Sequence, residues 1–317
     1  MRSDLRVELP DGTIVAYAET GDPAGPPVMY LHGSPSSRLE IGLPGIREAA
    51  ENLGLRVLAP DRPGMGLSTF RRYSIADYPR LVRSFADALG LGRFAVTGVS
   101  GGGKYACACA WLLPDRVTRV ALVSSTCSFD LPGARATWNA EDRWLYRIAD
   151  RAPWLVRLYL AKVARDLKRD PDALFSTVER SVGAADKEVL ALPGFREALD
   201  RDMGEAFRQG GRGPAHDLTL EARPWGVALE RIRVPIEIWH GEDDRVASPE
   251  QSHILARTVP LVTEHLVPGE GHFSLFARHA EEVMQTLLSG TTTGRTPGFG
   301  PSLDPAPARP PSSPGRR

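Results

Sequence analysis

Six short apolar runs, at residues 28–31, 56–59, 94–97, 120–123, 236–239 and 265–267, constrain this chain more than any other feature. None alternates cleanly between apolar and polar residues, so each suits a strand buried on both faces, as in a parallel sheet. Helical stretches lie between them. The segment 74–89 opens on a capping box from Ser74 and Asp77 and repeats Leu81, Phe85, Ala88 and Leu89 at helical spacing. This alternation predicts a doubly wound, mostly parallel α/β sheet. Residues 5–9 and 14–19, joined by Pro10-Asp11-Gly12, are expected to form an opening hairpin.

The rhythm stops after Ser124. From about residue 129 to 226 the chain is rich in Trp, Tyr, Leu, Arg and Asp at helical spacing, which predicts a helical cap inserted into the sheet domain. The expected division is a first core part at 1–128, the cap at 129–226, a second core part at 227–289 and a tail at 290–317. The tail is rich in Pro, Gly and Ser and has little to bury, so disorder is expected there. Within the cap, Trp138, Trp144, Leu145, Ile148, Trp154, Leu155, Leu158 and Tyr159 form an apolar series broken at Ala152-Pro153. Most suit packing. Trp138, Trp144 and Tyr159 are the candidates for substrate contact.

At 317 residues, with 42% hydrophobic and 25% charged composition, the chain can bury a full core. Its formal net charge of zero supplies no global field for nucleic acid or anionic lipid, so neither a nucleic acid nor a membrane is an expected partner. No apolar run is long enough to span a bilayer, and the charged first ten residues lack a signal-peptide core, so a cytoplasmic location is expected. Three cysteines cannot all pair, and Cys107 and Cys109 point to divergent faces of an expected helix. A reducing compartment fits. The reading requires neither cofactor nor metal.

The chemistry gathers at Gly98-Val99-Ser100-Gly101-Gly102, between the apolar run 94–97 and a helical stretch starting at Gly103. A serine on a tight strand-to-helix turn adopts a strained backbone, and glycines two residues to either side make room for the turn and for substrate. The same residues, Gly98 to Lys104, also fit a phosphate-binding loop. Tyr105 argues against that reading, because a magnesium-binding Ser or Thr belongs there. Ser100 as a mere helix cap is the plainest alternative. Of seven histidines, His272 is the candidate base, since it follows Gly269-Glu270-Gly271 in a loop after the last expected strand. An acid must orient that base, and Asp243 and Asp244 both follow the preceding strand, with Asp244 the candidate.

These pieces resemble the α/β-hydrolase superfamily, in particular its capped serine-hydrolase branch, over about residues 5–289. The resemblance rests on Leu31-His32-Gly33-Ser34-Pro35, Asp61-Arg62-Pro63-Gly64-Met65-Gly66-Leu67-Ser68, the turn at Ser100, Gly241-Glu242-Asp243-Asp244 and Gly271-His272, in that order. It implies Asp244 as the triad acid, three residues after Gly241, and the amides of Ser34 and Gly101 as an oxyanion hole. His32 is then expected to brace its loop, Asp61 and Arg62 to shape a turn beside the site, and Lys104 to be a solvated helix residue.

The implied activity is hydrolysis of a carboxylic ester of a small, largely apolar acyl substrate through an acyl-serine. Ser100 stands where epoxide hydrolases and haloalkane dehalogenases of the superfamily carry Asp, which argues against those reactions. The same triad also supports C–C, lactone, thioester or amide hydrolysis, acyl transfer, or a slow-turnover small-molecule receptor.

Overall fold

The apolar runs pair into one eight-stranded sheet. In chain order its strands are β1 (Arg2–Glu8), β2 (Ile14–Gly21), β3 (Pro27–Leu31), β4 (Arg56–Pro60), β5 (Phe94–Val99), β6 (Val117–Val123), β7 (Ile236–Gly241) and β8 (Val262–Val267). The computed structural model describes residues 1–288, so the expectation for the tail at 290–317 lies outside the described residues. Across the sheet the order is β1-β2-β4-β3-β5-β6-β7-β8. The β1–β2 and β2–β4 pairs are antiparallel and all later pairs are parallel. The chain therefore turns back between β3 and β5. Ligands of open α/β sheets bind at such a reversal, beyond the carboxyl ends of the strands.

Strand positions follow burial. All six residues of β5 are buried, whereas the outermost strand β1 alternates between exposed and half-buried positions. β8 begins three residues earlier than the apolar run suggested, because an edge strand with a half-exposed face accommodates Thr263 and Glu264. Successive residues of β3 feed two separate cores. Val28 and Tyr30 pack with α1 (Ile46–Asn52), while Met29 and Leu31 pack with α2 (Tyr78–Ala88) and α3 (Gly103–Leu112). The Ser74 hydroxyl and Asp77 carboxylate form the reciprocal cap ahead of α2.

Six helices lie between β6 and β7: α4 (Ala140–Arg151), α5 (Pro153–Arg169), α6 (Pro171–Ser181), α7 (Ala184–Leu190), α8 (Phe195–Ala206) and α9 (Arg212–Glu221). Pro153 sits at the first position of α5, where its missing N–H costs nothing, which accounts for the break between α4 and α5. Val156, Leu160, Ala164, Phe207 and Ala215 give these helices a small core of their own. After β7, α10 (Glu250–Thr258) joins the α2–α3 side and α11 (Ser274–Leu288) the α1 side. None of the described helices is long and apolar enough to cross a membrane.

Candidate active site

Ser100 follows β5 directly and has φ of +49°, a left-handed conformation that costs a non-glycine residue of order 1–3 kcal/mol. The neighbouring glycines are there for closeness. A Cβ on Gly98 would stand 2.7 Å from Ala106 Cβ on α3, and one on Gly102 only 2.0 Å from the Leu31 carbonyl oxygen at the end of β3. The turn can thus press against both elements only without side chains at 98 and 102. α3 is buried from Gly103 to Ala110, Cys107 and Cys109 included, and burial pushes the Cys107 thiol up to about 12. These cysteines pack; they are not reactive.

His272 and Asp244 meet from loops that follow β8 and β7. The His272 Nδ1 lies 2.8 Å from Asp244 Oδ2, while Asp244 Oδ1 accepts the amides of Val246 and Ala247 at 2.8 and 2.9 Å. With Nδ1 donating to the carboxylate, Nε2 is left as an acceptor. Burial opposes the charge on Asp244, yet the His272 and His240 rings beside it hold the carboxyl well below the usual range. Burial also disfavours the His272 imidazolium, but Asp244, with smaller contributions from Asp186 and Glu40, more than offsets this, so the ring titrates above its ordinary value. Ser100 and His272 line one cavity of about 190 Å³.

The loop after β3 closes over the serine. A Cβ on Gly33 would lie 3.6 Å from Ser100 Cβ, and one on Gly101 would lie 2.4 Å from Ser34 Oγ, so Ser34 and Gly101 face each other beside Ser100. His32 is fully buried, with Nδ1 3.0 Å from the Gly33 carbonyl and Nε2 accepting the Arg62 amide at 3.3 Å. Burial and the Arg62 cation hold its ring well below its ordinary value, as suits a neutral brace. Arg62 donates to the carbonyls of His32 and Gly33 and to Ser34 Oγ, and pairs with Asp217 at 3.0 Å. Asp61 receives the Arg38 amide and guanidinium and the Leu67 amide.

Lys104 corrects an expectation. It is not solvated but completely buried, donating to the Gly101 carbonyl at 2.8 Å and pairing with Glu221. Asp217 accepts from Ser34 Oγ and Tyr105 Oη, and Glu221 accepts from Thr126 Oγ1 at 2.5 Å. Asp217 and Glu221 stand four residues apart on α9, so one face of an inserted helix supplies both anions to the cations around the serine turn. Burial opposes ionisation of Asp217, but Arg62 and Lys104 hold it well below the carboxylate range.

The cavity walls differ from those expected. Apolar lining comes from Val178 on α6, Phe195, Leu199 and Met203 on α8, and Phe273 and Phe276. Trp138 is buried elsewhere, stacked on Phe129 and edge-on to Tyr146, and Trp144 and Tyr159 line a separate groove between α4 and α5. Their helical spacing marks an amphipathic hairpin, and spacing alone does not reveal which helices face the serine. Two acids that the sequence did not single out, Glu40 and Asp202, form a polar end of the cavity. Asp202 accepts from Ser36 Oγ, Ser37 N and Ser37 Oγ at 2.8, 2.9 and 2.6 Å. Burial and the adjacent Glu40 push it up to about 8. Among the described residues no cluster of three His, Cys, Asp or Glu side chains could hold a metal ion.

Known proteins are similar to this chain along most of its length. Among curated relatives, a 2-hydroxymuconate semialdehyde hydrolase from Pseudomonas putida is 29% identical over 264 residues, covering 81% of this chain and 84% of the relative. A pimeloyl-[acyl-carrier protein] methyl ester esterase from Nitrosomonas europaea is 26% identical over 251 residues, covering 78% and 89%. The crystal structure of an enol-lactonase from Burkholderia xenovorans superimposes with a TM-score of 0.66 at 20% identity, over 91% of this chain and all of that one. The sequence profile of the alpha/beta hydrolase fold matches residues 26–278. The chain therefore belongs to the α/β-hydrolase fold family and is a hydrolase.

Proposed function

We propose that this hydrolase cleaves the carboxylic ester of a small, largely apolar molecule through an acyl-serine, with Ser100 as nucleophile, His272 as base and Asp244 as its orienting acid. One observation carries the reading: Ser100, strained onto its turn, opens into a cavity shared with a histidine whose Nδ1 is 2.8 Å from a buried carboxylate. His272 Nε2 takes the proton as Ser100 Oγ bonds to the acyl carbon. The amides of Ser34 and Gly101 stabilise the oxyanion, each such donor contributing on the order of 10²–10³ in rate. The imidazolium then gives its proton to the departing alkoxide. Water, deprotonated by the same ring, attacks the acyl-serine and releases the acid and free Ser100.

The cavity supports a small acyl group. Its 190 Å³ is below the roughly 300–1,000 Å³ of drug-sized sites, and its walls from α6 and α8 are aliphatic and aromatic. On this reading the inserted helices act as a cap that selects substrate. A second reading, hydrolysis of a non-ester acyl bond by the same residues, draws on the semialdehyde hydrolase among the relatives. A panel of esters, lactones, thioesters and amides of graded acyl length, with Ser100→Ala as blank, separates the two. Ester turnover and fluorophosphonate labelling both vanish in Ser100→Ala if the proposal holds, and labelling that persists there sinks it.

A further inference from the structure

Asp186 on α7 is completely buried, and its carboxylate reaches out of the inserted helices to the loop that carries His272. Oδ2 accepts the main-chain N–H of His272 at 3.0 Å, and Oδ1 accepts those of Phe273 and Ser274 at 2.8 and 2.9 Å. These amides open the 15-residue helix α11, whose first N–H groups have no partners within the helix and whose dipole favours an anion. Gly271 is pressed against the same group. A Cβ there would lie 2.4 Å from Asp186 Oδ2. The backbone on both sides of the imidazole is thus seated on one carboxylate, 86 residues earlier in the chain.

We propose that Asp186 is a positioning residue for His272: from the inserted helices it holds the main chain of the base and adds a second negative charge beside the imidazolium. The proposal rests on the reading of Ser100, His272 and Asp244 as catalytic. The charges around the ring come from separate elements: Asp244 after β7, with His240 Nε2 3.3 Å behind it, Asp186 from α7, and Glu40 from the turn after β3. Arg278, the cation of α11 nearest this loop in sequence, pairs outward with Glu188 and Glu270. Burial drives the ring toward neutrality, and Asp244, Asp186 and Glu40 outweigh it. Removing the Asp186 charge therefore both loosens the ring and lowers the pH at which it becomes a base.

The test uses the full-length protein, comparing wild type, Asp186→Asn and Ser100→Ala. Fluorophosphonate labelling and hydrolysis of a small ester are followed against pH, and the folded fraction is measured by thermal melting. Asp186→Asn is expected to label and turn over on the order of 10- to 100-fold more slowly per folded molecule, as misplaced catalytic groups do. Its acid limb should move to lower pH, with KM changed by less than about twofold, since no substrate contact is lost. An unchanged pH profile, with losses that track the unfolded fraction, overturns the proposal and leaves Asp186 a helix cap. Should Asp186→Asn not accumulate, Gly271→Ala, which drives a methyl group into the same carboxylate, should move the limb in the same direction; a wild-type profile there also overturns it. Wild-type labelling by Ser100→Ala refutes the parent reading, and this one with it.

Discussion

Asp244 turns one oxygen to the His272 Nδ1, 2.8 Å away, and the other to the amides of Val246 and Ala247, whereas its neighbour Asp243 is exposed. An asparagine at 244 that keeps its carbonyl on those amides must turn its NH2 toward Nδ1. The ring then carries its proton on Nε2 and cannot accept from Ser100. Asp244→Asn should accordingly lose on the order of 10⁴ in kcat. Asp243→Asn should stay within about twofold, as exposed substitutions generally do. The pH–rate profile adds a sign: Asp244 contributes most to holding His272 above its ordinary value, so in Asp244→Asn the residual acid limb moves to lower pH. The reverse ranking of the two variants would reassign the acid.

Lys104 gives a prediction about stability. Breaking one side of a buried ion pair leaves an uncompensated charge, at a cost of about 3–5 kcal/mol. Lys104→Met should be destabilised by that amount, because Glu221 stays buried with only Thr126 as a polar partner. Lys104→Met combined with Glu221→Leu should recover part of the loss, since no charge is then stranded. Urea unfolding midpoints at constant m-value decide it. A double variant as unstable as the sum of the singles would mean that the pair is not coupled.

Asp202 predicts a dependence of stability on pH. Its carboxyl is pushed up to about 8 in the folded chain from an ordinary value of 3.8, so between these values the folded state holds a proton that the unfolded state has lost. The stabilisation is complete below the lower value and drains away as pH rises through the upper one. Asp202→Asn, neutral throughout, escapes that loss. Its melting temperature should gain on wild type from about pH 4 to about pH 8 and level off above that. A constant difference across that range would count against the shift.

The sheet was legible because parallel strands are buried on both faces and so appear as apolar runs, with the turn at Ser100 fixed between two of them. That His272 and Asp244 come together is legible for a related reason: each follows a strand of the parallel part of the sheet, and loops after such strands gather at one edge. Lys104 was misread because its partner Glu221 lies 117 residues away on another element, and nothing local distinguishes a lysine that will be buried from one that will be solvated. Asp217 and Glu221 look like two exposed acids at helical spacing until α9 is docked. The cavity walls were missed in the same way. Trp144 and Tyr159 carry large aromatic side chains, but packing of α8 against the loop after β3 brings Phe195, Leu199 and Met203 to the cavity of the serine instead.

That packing yields the last prediction, which concerns substrate choice. Leu199 and Ser100 line the same cavity, so Leu199→Ala opens space along the acyl chain without touching the reacting carbonyl. In an apolar pocket one methylene is worth about 1–3 kcal/mol, a factor of roughly 10–200 in kcat/KM. Leu199→Ala should therefore raise the ratio of long-chain to short-chain ester hydrolysis by at least about tenfold while a small fluorophosphonate still labels Ser100 at the wild-type rate. Trp144→Ala and Tyr159→Ala, which alter the groove between α4 and α5, should leave that ratio unchanged. If Leu199→Ala lowers every substrate equally and in step with its folded fraction, Leu199 is a core residue and selectivity lies elsewhere. If Tyr159→Ala moves the ratio, the α4–α5 hairpin reaches the substrate after all, and the inserted helices close further over the cavity than this packing shows.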